Sequence, residues 1–147
     1  IKDVPVTTDV FVYKFATDGT NEGTVEIWNQ VFTSTSPNPD NSLRPRGDFG
    51  YSITTDDSDN IYISGDSWGN YEQTTNNGEA DIFLTKLDNS TGTPIYTKQW
   101  GSSSLDTGYG VLYKNGYIYI IGETRSSEFY SNISAGGSDA FLIKWSE

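Results

Sequence analysis

Strands alone are expected of this chain, on three grounds. Its residues are strand and turn formers: Tyr, Ile, Val, Phe and Thr set between clusters of Gly, Ser, Asn and Asp. No stretch keeps a helical period over three turns. Short blocks of one pattern also return along the chain. With 147 residues, 34% apolar and 14% aromatic, there is material for one domain with a core.

The blocks define the elements in order. "DVFVYKF" (9–15), "DIFLTKL" (81–87) and "DAFLIKW" (139–145) share Asp-x-Phe-hydrophobic-x-Lys. Upstream of the later two, "DFGYSITTDDSDNIYISGDS" (48–67) aligns with "DTGYGVLYKNGYIYIIGET" (106–124). Downstream of the first two lie "TVEIWNQVF" (24–32) and "TPIYTKQW" (93–100). Each unit then reads as four strands. Strand A falls near 50–55 and 108–113, strand B at 60–65 and 117–122, strand C is the Asp-x-Phe block, and strand D spans 24–32 and 94–100. "DSDN" and "KNG" join A to B, and "DNSTG" joins C to D, as hairpin turns would.

Four antiparallel strands per repeat is the pattern of a β-propeller blade. The expected architecture is all-β, with blades of this kind in an incomplete ring. Residues 1–147 form a single segment: a partial blade over 1–48, a full blade over 49–105 and a partial blade over 106–147. The extra residues before the second unit fall in the first C–D hairpin and in the loop "TSTSPNPDNSLRPRGD", where insertions are tolerated. So few blades leave unpaired edges. The expected partners are therefore the remaining blades of a longer chain or other copies of this one. The start at Ile1 reads as a processed chain or an excised piece.

The blocks "NIYISG" and "YIYIIGET", each followed by an aromatic (Tyr71, Phe129) and then by "GEADIFLTKLD" or "GGSDAFLIKWSE", resemble the β-propeller repeat family labelled SBBP. The resemblance spans almost the whole chain. It implies the propeller fold and a place in a large secreted or cell-surface protein. It implies no chemistry.

Asp48 closes the tripeptide Arg46-Gly47-Asp48, a spelling that integrin ligands use. Its counterpart Asp106 has no Arg-Gly before it, so the shared Asp is expected to fix the entry to strand A. Asp81 and Asp139 are expected in turns or inter-blade hydrogen bonds, and Lys14, Lys86 and Lys144 in structural pairings. Asp56, Asp57 and Asp59 in "TDDSDN" are candidate Ca2+ ligands, although the matching "LYKNG" has no carboxylate. In the B–C loops, Trp68, Tyr71, Phe129 and Tyr130 are candidates for stacking on a sugar ring. Tyr71 and Phe129 are matched between units, which also suits plugs packed on their own blades. Trp28 and Trp100, on strand D, suit packing between blades. Asn89 and Asn132 fit the N-glycosylation pattern, which matters only in a secreted eukaryotic protein.

Composition narrows the function. A net charge of −11 gives no basic stripe for nucleic acid or an anionic membrane. Without Cys, Met or His, the chain has no thiolate, imidazole base or Cys/His metal site. No apolar run approaches 18 residues, so no membrane insertion is expected. The expected role is a non-catalytic structural or interaction module, extracellular or at the cell surface, within a larger assembly or filament. It needs no cofactor unless Ca2+ occupies the acidic turn, and its outside partner is a glycan or a surface protein. The alternative is a lectin-like module using the B–C loop aromatics.

Overall fold

Nine principal strands form in the expected order, and four two-residue strands join the loops. The computed structural model describes residues 8–17, 24–35, 47–133 and 136–147. In chain order the strands are β1 (Val10–Thr17), β2 (Thr24–Phe32), β3 (Ser34–Thr35), β4 (Asp48–Thr55), β5 (Ile61–Ser67), β6 (Asn70–Tyr71) and β7 (Asp81–Leu87). Then follow β8 (Pro94–Trp100), β9 (Asp106–Lys114), β10 (Tyr117–Thr124), β11 (Glu128–Phe129), β12 (Asn132–Ile133) and β13 (Asp139–Ser146). No helix occurs among the described residues.

The strands make three meandering antiparallel sheets. The middle one is four-stranded, β4-β5-β7-β8; before it lies the pair β1-β2, and after it β9-β10-β13. These are blades C-D, A-B-C-D and A-B-C, and among the described residues no barrel closes. The strand B blocks run two residues further than the sequence indicated, to Ser67 and Thr124. Those residues still pair, with Asp48 and Asp106 at the starts of β4 and β9. The B–C loops hold β6, β11 and β12; β3, just after strand D of the first blade, pairs with β6, and β11 pairs with β12.

The turns follow from their residues. Asn115 and Gly116 both take positive φ, which a tight hairpin between twisted strands requires. Asp56 closes the other A–B turn, its Oδ1 accepting the N–H groups of Ser58 and Asn60. Asp88 closes the C–D turn by accepting the N–H groups of Ser90 and Thr91.

Irregularities repeat as faithfully as strands. The A–B ladder slips next to Tyr51 and again next to Tyr109, leaving each tyrosine as the extra bulge residue. The C–D ladder slips just after Lys14 and just after Lys86. Gly65 and Gly122 occupy one position, opposite Phe83 and Phe141. A Cβ at Gly65 would collide with the Phe49 carbonyl and the Phe83 ring, and one at Gly122 with the Thr107 carbonyl and the Phe141 ring. Only glycine lets the C-strand phenylalanine lie across strand B here.

Two apolar cores lie between the blades. One joins Val10, Trp28 and Phe32 of the first blade to Ile61, Ile63, Phe83 and Leu87 of the second, with Tyr71. The other joins Tyr62, Ile82 and Leu84 to Val111, Ile118 and Ile120 of the third, with Phe129. Strand C of the middle blade is buried along its whole length because its alternate side chains face two different cores.

Candidate functional site at the blade junctions

Of the charged residues singled out by the repeat, Asp48, Asp106, Lys14 and Lys86 bridge the two junctions, at the same positions in each. The Asp48 N–H donates to the Thr8 carbonyl at 2.6 Å, and the Asp106 N–H to the Ala80 carbonyl at 2.7 Å. Each bond runs from the first residue of strand A to the residue before the Asp-x-Phe block of the preceding blade. Trp68 N–H to Gly47 carbonyl and Arg125 N–H to Leu105 carbonyl repeat in the same way.

The C-strand lysines reach forward. Lys14 Nζ donates to the carbonyl and to Oδ1 of Asn89, both at 2.7 Å. Lys86 Nζ donates to both carboxylate oxygens of Glu147, at 2.8 and 2.9 Å. Asn89 and Glu147 occupy one repeat position, just beyond strand C of the following blade. Lys86 also pairs with Asp56 at 3.2 Å and lies over the Tyr62 ring. Tyr62 and Tyr96 hydroxyls both donate to Glu147. Burial pulls the Lys86 pKa down, but hydrogen bonds to Glu147, Tyr62 and Asp56 outweigh it and hold the ammonium above its usual range. Burial likewise raises Asp56 and Glu147, and their hydrogen bonds, from Asn60 and Lys86 among others, bring both below the ordinary values. Lys144, the third copy, has its ammonium 3.9 Å over the Tyr117 ring of its own blade.

The aspartates at the strand entries are buried. Asp81 accepts the Asn77 N–H through Oδ2, and Asp106 accepts the Ser102 N–H and hydroxyl. The Oδ1 atoms of Asp66, Asp81 and Asp106 are buried without a close hydrogen-bond partner. Burial pushes Asp81 up to about 6, with the Asn77 N–H opposing it and the Asp106 charge adding to it. Asp66 is pushed to about 6 by burial, against the Thr107 and Tyr51 hydroxyls. Sequence reasoning missed Asp66. Its signal was the shared Gly65-Asp66-Ser67 and Gly122-Glu123-Thr124. The bulge tyrosines Tyr51 and Tyr109 stand 5.8 Å apart, one beside Asp66 and the other beside Glu123.

Asp48 is also buried, and its carboxylate oxygens have no close partner. Burial raises its pKa against the nearby Ser67 and Ser34 hydroxyls. A Cβ at Gly47 would collide with Thr8. Arg46 lies outside the described residues. The Asp48 carboxylate therefore serves the junction and is not presented to solvent.

The other candidates are placed as follows. Asp56 is engaged by Lys86, Asn60, Ser58 and Tyr62, and Asp57 by the Tyr113 hydroxyl. Asp59 takes the turn's positive φ. Among the described residues no three carboxylates gather within reach of one metal ion. Tyr71 is fully buried, stacked 4.2 Å from Phe83, and Phe129 is buried against Phe141. Both are plugs with no face open to a sugar. Tyr130 is exposed, and Trp68 is half-buried. Trp28 is buried at the first junction, as expected of strand D, and its indole N–H donates to the Asn89 carbonyl. Asn89 accepts Lys14, and the Asn132 amide donates to the Tyr130 carbonyl; Ser134, which completes the acceptor pattern of Asn132, lies outside the described residues.

What this geometry performs is docking of like sheets face to face, the defining act of a β-propeller. The repeat is also recognised by comparison: a family model described as SBBP, β-propeller repeat, matches residues 44–72. That span holds strands A and B of the middle blade and the plug Tyr71. No curated protein matches the chain. A β-propeller repeat suggests a structural or protein-interaction module.

Proposed function

We propose that the chain is a non-catalytic structural and interaction stretch of a propeller in a secreted or cell-surface protein, with further blades docked on both outer faces. One observation carries this. The two outer faces bear the same residues that the inner junctions bury. Leu84 is 0% exposed against the third blade, while Leu142 at its repeat position is 64% exposed. Phe83 is 0% exposed against the first blade, while Phe11 is 68% exposed. Tyr13, Phe15, Ile121 and Leu112 extend these apolar faces. Exposed patches of this kind mark contact surfaces. The charge of −11 suits a solvated extracellular surface. Each buried carboxylate has a repeat counterpart or a junction role, which favours scaffold over catalysis.

Light scattering after size exclusion tests the reading. The chain should exceed its 16.3-kDa unit mass in a concentration-dependent way. Phe11→Glu and Leu142→Glu should each lower that mass. A stable 16.3-kDa particle, indifferent to both substitutions, would remove the proposal.

A further inference from the structure

β1 is the C strand of a blade whose A and B strands are not among the described residues, and among those residues a groove lies where they would pack. A groove of about 710 Å³ runs between β1 and β4, lined by Val10, Val12, Tyr13, Tyr51, Ile53 and Ile63 among others. The corresponding space one junction on, beside β7 and β9, is filled: β4 and β5 pack against β9 there. The difference shows in one pair of residues. Val111 on β9 is 8% exposed, and Ile53, at the same position on β4, is 61% exposed.

From this placement we infer that the groove is a docking site for a β-hairpin of strands A and B from a further repeat unit, which adds to the open edge of β1. This rests on the reading above that the chain is one stretch of a blade stack. The two intact ladders fix the chemistry of the occupant. Its outer strand runs antiparallel to β1 in the register seen for β5 on β7 and β10 on β13. That register sets a glycine opposite Phe11, as Gly65 is opposite Phe83 and Gly122 opposite Phe141. Its inner strand carries hydroxyls. The Val111 N–H donates to Ser52 Oγ at 3.1 Å, and the Tyr113 N–H to Thr54 Oγ1 at 3.4 Å. The matching residues on β4 are Ile53 and Thr55, so the arriving strand needs Ser or Thr where β4 has Ser52 and Thr54. Addition of such a hairpin gives main-chain affinity, with side-chain specificity from the glycine and the hydroxyls. A second copy is a poor source, because its own hairpins are already built into its blades.

The probe is a fluorescent peptide of residues 48–67, which carries Ser52, Thr54, Gly65 and the Asp56 turn. Anisotropy titration with the 147-residue chain should show saturable binding. A Gly65→Val peptide should bind at least ~10-fold more weakly, and so should the Ile53→Glu protein. Ile53 is exposed, so its substitution leaves the fold intact, and circular dichroism checks this. No binding up to ~1 mM, or equal binding of the Gly65→Val peptide, would overturn the assignment. If the peptide fails while Leu142→Glu still lowers the particle mass, this inference falls and the proposed module stands.

Discussion

Replacing Lys86 with methionine isolates the electrostatic half of a blade junction. The side chains of Lys86 and Asp56 are each 9% exposed, and that of Glu147 is 43% exposed. Removing one member of a fully buried pair costs about 3–5 kcal/mol. Two features reduce that here. Glu147 can be rehydrated, and Asp56 keeps donors from Ser58 and Asn60. The expected loss is about 2–4 kcal/mol. The same substitution at the other two copies is graded by what the ammonium meets. Lys14 meets a neutral Asn89, so Lys14→Met should cost about 1–2 kcal/mol. The exposed Lys144 lies over the Tyr117 and Tyr119 rings, so Lys144→Met should cost about 0.5–1 kcal/mol. Urea denaturation, with an unchanged m-value, gives the three differences. Acid supplies a second reading. Asp56 and Glu147 are held below their unfolded values, so their stabilisation is present above about pH 4.5 and fades as pH falls through the lower folded values. The gap between wild type and Lys86→Met should therefore hold at about pH 5–7 and close below about pH 4. Equal costs at Lys86 and Lys144, or a gap that widens in acid, would refute the junction argument.

Asp66 and Asp81 predict the opposite trend nearer neutrality: with folded pKa values raised to about 6, their stabilisation is full below the unfolded value and lost as pH rises through 6. The unfolding midpoint should thus be higher near pH 5 than near pH 7.5, and Asp66→Asn should flatten that slope. Tyr71→Ala should cost about 3–5 kcal/mol in the same urea assay, because it empties a fully buried site stacked on Phe83. Tyr71→Phe should be neutral or stabilising, since the buried hydroxyl makes no close hydrogen bond among the described residues. Gly65→Ala should lose at least about 1–3 kcal/mol, because the added carbon meets the Phe49 carbonyl, which is held in the ladder. If the loops bind glycans, the contact lies on Trp68 and Tyr130, and their alanine variants should lose signal on a glycan array while the Tyr71→Phe variant does not.

The strands were legible because each carries a marker that pairing geometry demands. Asp opens strand A, Gly sits in strand B beneath the C-strand Phe, and the turns hold Asn-Gly or Asp. Three copies of the Asp-x-Phe block made the register readable without a helix or a disulfide for guidance. The partners of the charges were less legible. The odd spacing of Asp81 and Lys86 placed them on opposite faces, and that is how they act: Asp81 serves the strand entry while Lys86 reaches Glu147. The sequence gives no sign that Glu147 is the recipient, because the equivalent residue at the first junction is the uncharged Asn89. The acidic turn showed its carboxylates in the sequence, but not that Lys86 on β7 pairs with Asp56, because that contact is set by the sheet. Tyr71 and Phe129 carried two readings, plug and sugar platform. Burial separates these, and burial belongs to the tertiary packing.

The junction bonds distinguish the two directions along the chain: ammonium groups donate forward from Lys14 and Lys86, and backbone amides donate back from Asp48 and Asp106. The stack therefore has polarity, with a front and a back that differ. No unit can meet another through a two-fold axis using these groups. Added units must follow head to tail, so the small rotation between successive sheets alone decides whether growth returns to its start as a ring or runs on as a fibre.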